Sequence, residues 1–276
     1  MIKEAIMTFQ QWLDTCRLHR LEARLLVEAV CRITHVRLIS CSGDELPQPQ
    51  RAVLDILAAR RRRGEPMAYL LGSREFYGRS FRVSPAVLIP RPETELLVEA
   101  TLARLPPGGR LWDLGCGSGI IGLTVALERP DAAVRASDIS PDALAVAQAN
   151  AAALGASIEW AQGSWFAALP SAEGLFDIIA SNPPYIEAGD GHLQQGDLRF
   201  EPAAALTDFA DGLSHIRTLA AQAQGYLKTG GWLLLEHGWN QGEAVRGILA
   251  EHGWQQVETL RDLAGLDRVS IGRKAV

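Results

Sequence analysis

The densest chemistry in this 276-residue chain lies in five consecutive residues, Ser181-Asn182-Pro183-Pro184-Tyr185. They follow an apolar run, Leu175 to Ala180, that reads as a buried parallel strand. Neither proline can donate to a ladder, and each holds φ at about −65°, so the strand must stop and the backbone after Asn182 stiffens. In an open α/β sheet, ligands bind at the carboxyl ends of the strands. A rigid turn there holds one side-chain amide and one aromatic ring at fixed positions. That arrangement suits alkylation of a planar, neutral nitrogen whose lone pair is delocalised into a carbonyl or ring. The Asn182 side-chain oxygen and the Pro183 carbonyl can accept from its two hydrogens and draw it toward tetrahedral geometry. The Tyr185 ring can cover the flat face of the substrate and exclude water. The plainer alternative is a Pro-Pro turn that merely ends a strand, with Tyr185 in the core.

A glycine loop upstream points to a nucleotide-type ligand. Gly115-x-Gly117-x-Gly119 suits a methyl-donor site, and Gly117-x-Gly119-x-x-Gly122 fits a dinucleotide fingerprint as well. Asp138, 21 residues past Gly117, has the spacing of a ribose-binding acid in either case. The physics is shared, since glycines let the backbone approach the ligand and a carboxylate accepts from ribose hydroxyls. Three features tip the loop toward S-adenosylmethionine. Asp113 supplies an acid just before the glycines. Trp165 can sit against an adenine, although a core tryptophan is the simpler role. The Asn-Pro-Pro-Tyr turn has no part in hydride transfer. Cys116 has no base placed beside it and is not a nucleophile candidate.

The elements that must position these residues alternate from residue 110 onward, the pattern of a doubly wound α/β sheet. Strands are expected at Arg110–Leu114, Val134–Ala136, Ile158–Ala161, Leu175–Ala180 and Trp232–His237, and Gln255–Leu260 and Arg268–Ile271 read as short closing strands. Pro141 opens a helix at its favoured first position. Helices are also expected from the glycine loop through Leu127, from Glu93 to Leu105 and from Gly212 to Leu227. The polar stretch Glu187–Pro202 is too long for a plain connection and reads as a lid or binding loop. Aromatic residues around Tyr77-Gly78 predict a β-hairpin linker over residues 73–92.

Residues 1–72 read as a separate helical bundle. Thr8 with Gln11 forms a capping-box signature ahead of Phe9, Trp12, Leu13 and Cys16 at helical spacing. Leu21, Leu25, Leu26, Ala29, Val30 and Ile33 continue in a second helix. A third carries Val53, Leu54, Ile56 and Leu57 after the break at Ser42 to Pro49. Its last turn, Arg60-Arg61-Arg62-Arg63 before Gly64, invites a phosphate-binding or macromolecule-docking role, but a solvated last turn favoured by the helix dipole and capped by Gly64 is the plainer reading.

Composition narrows the class. Apolar content of 47% with 21% charged residues describes a soluble globular protein. Met1-Ile2-Lys3-Glu4 leads into a mixed polar segment, so no signal peptide is expected, and no run reaches the roughly 18 apolar residues of a membrane helix. Cys16, Cys31, Cys41 and Cys116 show no CxxC spacing and suit a reducing, cytoplasmic compartment. No histidine spacing argues for a metal. Residues 1–80 carry a net charge of +4 and the remainder −9. An acidic catalytic part argues against direct nucleic-acid binding.

Taken together, these motifs resemble the class I S-adenosylmethionine-dependent methyltransferases. More narrowly, the chain resembles the HemK/PrmC family, the protein-(glutamine-N5) methyltransferases that modify peptide chain release factors. The resemblance spans nearly the whole chain: the helical N-terminal part, Arg74-Glu75-Phe76, Leu88 to Glu95, Asp113 to Gly119, Asn182 to Tyr185, Gly196 to Pro202 and Leu235 to Gly238. Asn-Pro-Pro-Tyr alone also occurs in enzymes that methylate amino groups of nucleic-acid bases, and Ile89-Pro90-Arg91-Pro92-Glu93-Thr94-Glu95 is the narrower marker. The resemblance implies a Rossmann-like, mostly parallel seven-stranded methyltransferase domain over residues 93–276, behind a substrate-docking helical domain. It implies that Gly115, Cys116, Gly117, Ser118 and Gly119 line the methionine and ribose of the donor, that Asp138 binds the ribose hydroxyls and that Trp165 flanks the adenine. By the same resemblance Asn182 touches donor and substrate, while Pro183, Pro184 and Tyr185 hold the acceptor glutamine of a Gly-Gly-Gln loop. A glutamine methyltransferase acting on a ribosomal protein would share every one of these residues. A dehydrogenase or a catalytically silent donor-binding module on the same fold would not transfer a methyl group.

Overall fold

The computed structural model describes residues 7–169 and 175–276. Met1-Ile2-Lys3-Glu4, the segment bearing on a leader, lies outside them. The chain divides into two compact units, Met1–Gly72 and Ser73–Val276.

Among the described residues of the smaller unit five helices surround one apolar core: α1 (Phe9–Thr15), α2 (Arg20–Cys31), α3 (His35–Ser40), α4 (Gln48–Arg62) and α5 (Met67–Leu71). The capping box forms, with Thr8 accepting from Gln11 N and the Gln11 side chain accepting from Thr8 N. Trp12, Leu26, Val27 and Leu54 are fully enclosed, and Trp12 Nε1 donates to Asp55 at 2.8 Å. Two elements depart from the apolar spacing. Arg32 turns left-handed at φ 54°, so α2 ends before Ile33, which still packs on the core. Thr34 then caps the separate α3. Pro49 falls inside the first turn of α4 rather than in the break, because the first turn needs no proline N–H. The arginine cluster is tied within the unit: Arg60 pairs with Glu65, Arg61 with Glu22, and Arg62 donates to the Cys16 carbonyl.

The larger unit opens with a hairpin of β1 (Ser73–Phe76) and β2 (Arg79–Arg82). Tyr77 and Gly78 both take positive φ, 51° and 70°, as a two-residue turn with matching twist requires. Phe76 and Phe81 meet edge-on at 6.1 Å and enter the core of this unit, so the hairpin is part of its packing rather than a bare linker. There follow α6 (Glu95–Arg104), β3 (Arg110–Leu114), α7 (Ile120–Glu128), β4 (Ala133–Asp138), α8 (Pro141–Leu154), β5 (Glu159–Gln162) and β6 (Phe176–Ser181). The unit closes with α9 (Ser214–Gln222), β7 (Leu227–Glu236), α10 (Gly242–Glu251), β8 (Gln255–Arg261) and β9 (Asp267–Arg273).

Seven strands form one sheet in the order β5-β4-β3-β6-β7-β9-β8, with β9 antiparallel to both neighbours and the other pairings parallel. Alternate strand residues feed two cores. Leu111, Ile178 and Leu234 pack with α6 and α7, while Trp112, Ile179 and Leu233 pack with α9 and α10. Order reverses between β3 and β6, which pair Leu111 with Ile178 through Asp113 with Ala180. That reversal opens a crevice at their carboxyl ends. The helix expected over Gly212–Leu227 is shorter than its pattern. It stops at Gln222, passes through a tight turn, and Leu227 already pairs with Phe176. Gly230 at φ 77° lies within the register shift that follows. No helix among the described residues is long and apolar enough to cross a membrane.

Phe81 is fully enclosed and joins the hairpin to the sheet core. Phe81→Ala is expected to destabilise the larger unit by about 3–5 kcal/mol. Urea unfolding of the full chain checks this, with Phe81→Leu losing less.

Candidate active site

The glycine loop follows β3 because Asp113 closes the strand and seizes the start of α7. Asp113 Oδ2 accepts from Gly122 N at 2.8 Å, and Oδ1 is buried without a partner. Full burial pushes this carboxyl up to about 7, with the Asp138 charge adding to the rise and the Gly122 hydrogen bond opposing it. In the loop itself, Gly115 stands at φ 72°, and a Cβ there would lie 3.3 Å from the Trp165 ring. Gly119 caps α7 at φ 83°, where a Cβ would meet Leu123 at 2.9 Å. Gly117 N donates to Asp138 Oδ2 at 2.9 Å, and Ser140 N donates to Oδ1 at 2.9 Å. The loop after β3 and the acid after β4 are therefore one hydrogen-bonded assembly.

A cavity of about 420 Å³ opens where the strands end. Gly115, Cys116, Gly117 and Ser118 line it after β3, Asp138 and Ile139 after β4, Trp165 after β5, and Asn182 and Pro184 after β6. The structure thus gathers these candidates from four consecutive strand ends. Gly119, Pro183 and Tyr185 do not line the cavity. Gly119 is spent on the helix start and Pro183 is buried. Tyr185 packs its ring into the apolar core under α9 and points its hydroxyl at Glu236 Oε1, 3.4 Å away. Burial and the Glu236 charge raise its pKa.

Leu88, the first residue of the Leu88 to Glu95 marker, lines the cavity beside several residues that carry no motif: Val87 from the segment after β2, and Thr207, Asp208, Phe209 and His215 from the connection into α9. Asp208 accepts from Ala210 N, Gly212 N and both groups of Ser214, which hold its carboxyl down at about 2 against its burial. The signal available in the sequence was the Asp-Phe-Ala-Asp-Gly turn chemistry, which predicts such backbone capture but not a cavity. His215 sits 5.1 Å from the Trp165 ring, and burial lowers its pKa, favouring the neutral imidazole. Cys116 is buried and its thiol pKa is pushed well up, so it stays protonated. The polar loop after β6 is pinned by Glu201, whose buried carboxylate accepts from Ile89 N at 2.9 Å and pairs with Arg91. Among the described residues no group of three His, Cys, Asp or Glu stands together as metal ligands.

Comparison with known proteins decides the family. A family model for the methyltransferase small domain matches residues 92–205, and one for the PrmC N-terminal domain matches residues 4–72. The chain is 62% identical to a release factor glutamine methyltransferase of Neisseria gonorrhoeae, over 97% of this chain and 98% of that one. The chain belongs to the release factor glutamine methyltransferase family. A Bordetella pertussis protein of the same name is 50% identical over 92% of this chain and 95% of its own. A methyltransferase from Pyrococcus furiosus shares the fold at a TM-score of 0.56 and 17% identity, covering 79% of this chain and 98% of that chain. The membership agrees with the resemblance carried by the marker motifs, and with a methyltransferase rather than a dehydrogenase.

In this family member the buried acid before the glycines makes stability depend on pH. The folded state raises the Asp113 pKa from 3.8 to about 7. Between those values the folded chain keeps a proton that the unfolded chain has released, so stability falls as pH rises from about 4 to 7. Asp113→Asn keeps an acceptor for Gly122 N and is expected to lessen that fall, by at most about 4 kcal/mol for the full shift. Urea midpoints at pH 5 and pH 8 for both proteins measure it, with Glu236 supplying a remaining slope of the same sign.

Proposed function

We propose that the chain transfers the methyl group of S-adenosylmethionine to the side-chain amide nitrogen of the glutamine in the Gly-Gly-Gln motif of class I peptide chain release factors. One juxtaposition carries the reading: Asn182, on a turn stiffened by two prolines, lines the same cavity as the glycine loop and Asp138. The names of the closely similar Neisseria and Bordetella proteins support the substrate class. The site would then lie in the cytoplasm, where release factors work.

The residues present fit the donor. The cavity has the volume of a small-molecule site. Gly115 leaves open a surface that a side chain would fill, next to the Trp165 ring. Asp138 has acceptor capacity beyond its two backbone hydrogen bonds. In this reading Gly115, Cys116, Gly117 and Ser118 bind the methionine and ribose portions while Gly119 holds the loop against the start of α7, Asp138 accepts from the ribose hydroxyls, and Trp165 flanks the adenine. When bound, S-adenosylmethionine supplies an electrophilic sulfonium methyl and leaves as S-adenosylhomocysteine.

Asn182 Oδ1 and the Pro183 carbonyl accept from the two hydrogens of the glutamine amide and turn its nitrogen toward the methyl. Pro184 and Tyr185 hold the turn and its acceptor in place. Alkylation makes the nitrogen acidic, so its proton leaves afterwards without a strong base. Catalysis is then positioning and electrostatic preorganisation, worth up to roughly 7–11 kcal/mol in favourable cases.

Methyl transfer from labelled donor to a purified release factor is expected, with no label on its Gly-Gly-Gln variant carrying Gln→Ala. Label appearing instead on ribosomal protein or RNA overturns the substrate assignment. Asn182→Ala is expected to lower turnover by on the order of 10²-fold or more while donor affinity changes little. Unchanged turnover in that variant refutes the role of the turn.

A further inference from the structure

Among the described residues six that are not glycine take positive φ, a conformation that bulky side chains adopt only at a cost. Four have a plain structural reason. Arg17 and Arg32 follow helices α1 and α2, Tyr77 makes the hairpin turn, and Gln256 lies in a register shift of β8. The other two are aromatic, Trp165 at φ 47° and Phe209 at φ 57°, and both line the cavity. In the proposed donor site Trp165 flanks the adenine and Phe209 is unassigned.

Core packing does not explain the Phe209 backbone. The residue is 67% exposed, so its ring gains little from burial in the free chain. Its conformation is imposed from both sides. Phe209 N donates to Thr207 Oγ1 at 3.0 Å, and Asp208 accepts from Ala210 N and Gly212 N at 2.9 Å each. From the segment after the Asn-Pro-Pro-Tyr turn, Ile186 N donates to the Leu206 carbonyl at 2.9 Å and Ala188 N to the Ala210 carbonyl at 3.0 Å. A glycine would take this φ without strain. The chain instead holds a phenyl ring there, exposed, on a cavity wall. Strain of this kind persists where the surroundings over-determine it, and it concentrates at ligand sites.

The connection that carries Phe209 reaches the Trp165 end of the cavity. His215, six residues on, lines the same cavity and lies 5.1 Å from the Trp165 ring. The Asp208 carboxylate beside Phe209 is occupied by its own donors, so what Phe209 adds to the wall is an apolar ring. The ligand group that such a ring suits is another flat aromatic system, and the donor has one, its adenine.

We infer that Phe209 is a donor-binding residue that covers the adenine of bound S-adenosylmethionine, acting with Trp165 at the base end of the cavity. The inference rests on the methyl-transfer reading for the identity of the ligand. Donor binding then takes an exposed phenyl ring out of water, which stabilises the complex and not the free chain. The strained backbone keeps the ring at the wall beforehand, so less freedom is lost when the base arrives.

Calorimetric titration of the full chain with S-adenosylhomocysteine tests this without a protein substrate. Phe209→Ala is expected to raise the dissociation constant about 10-fold or more. Adenosine, which carries the base without the methionine, should lose affinity by a similar factor. Phe209→Tyr keeps the ring face and should bind like the wild type, while Phe209→Leu, apolar but not flat, should bind more weakly. Phe209→Gly removes the ring and relieves the strain. Its urea midpoint should lie above that of Phe209→Ala although its donor affinity is as low, which separates the ring's contact from the stability of the fold. A wild-type dissociation constant in Phe209→Ala and Phe209→Gly overturns the inference, as does a rise confined to the KM for the release factor. A wild-type chain that binds neither S-adenosylhomocysteine nor adenosine defeats the methyl-transfer reading, and this inference with it.

Discussion

The Ser181 hydroxyl donates to the Leu114 carbonyl at 2.7 Å, in full burial. This bond ties the last residues of β3 and β6 together where their connections part. The ladder between the two strands runs only as far as Asp113 and Ala180. Beyond it the chain after β3 turns into α7 through glycines, and the chain after β6 is stopped by two prolines. Without a link at that level, the two strand ends could splay, and the glycine loop and Asn182 would no longer face one cavity. Everything chemical in the larger unit hangs on this convergence, because the lining residues come from adjacent strand ends and not from one contiguous segment.

Three carboxylates are buried close to this point, and each is handled differently. Glu201 accepts from Ile89 N and pairs with Arg91, which joins the segment ahead of α6 to the end of the polar loop. Asp113 has one backbone donor and one orphaned oxygen, and its pKa rises. Glu236 accepts from the Tyr185 hydroxyl at Oε1 and has an orphaned Oε2, and its pKa rises as well. Burying a carboxylate with incomplete pairing costs stability. Natural chains keep such groups where the geometry they impose has a use. Glu201 closes a covalently distant loop, Asp113 sets the start of α7, and Glu236 holds the Tyr185 hydroxyl beneath the turn.

Much of this architecture was legible in residue patterns. Strand cores with alternating destinations, such as Trp112 beside Leu111 and Ile179 beside Ile178, read clearly because buried parallel strands are apolar on both faces. Boundaries were less legible where a backbone conformation outweighed periodicity. Arg32 ends α2 in the left-handed region while the apolar pattern continues to Ile33, and Leu227 looks helical by spacing but pairs with Phe176. That Ala86 and Val87 and the lining residues of 204–215 meet at one cavity left no sequence signal, since their proximity depends on tertiary contacts such as Glu201 with Arg91. The links from Asn182 to Thr94 and from Tyr185 to Glu236 were hidden for the same reason. They join side chains distant in sequence through single hydrogen bonds, and no periodicity records that.

The charges around the cavity explain why positioning must carry the chemistry. The carboxylates that line it are Asp138, which takes one backbone donor on each oxygen, and Asp208, which is crowded with four donors. Asp208 is held down at about 2 and is a poor proton acceptor. His215 is kept neutral by burial, but it packs against Trp165, on the side of the cavity that follows β5. A strong base beside Asn182 would gain nothing, because a neutral amide nitrogen loses its proton readily only after it has been alkylated. What that nitrogen does need is two acceptors at fixed positions and no competing donor. A rigid turn supplies the first. Asn182 meets the second by turning its Nδ2 onto Thr94 Oγ1, which leaves its side-chain oxygen for the acceptor, so a stiff turn and a buried partner for the asparagine amide serve the same chemical requirement.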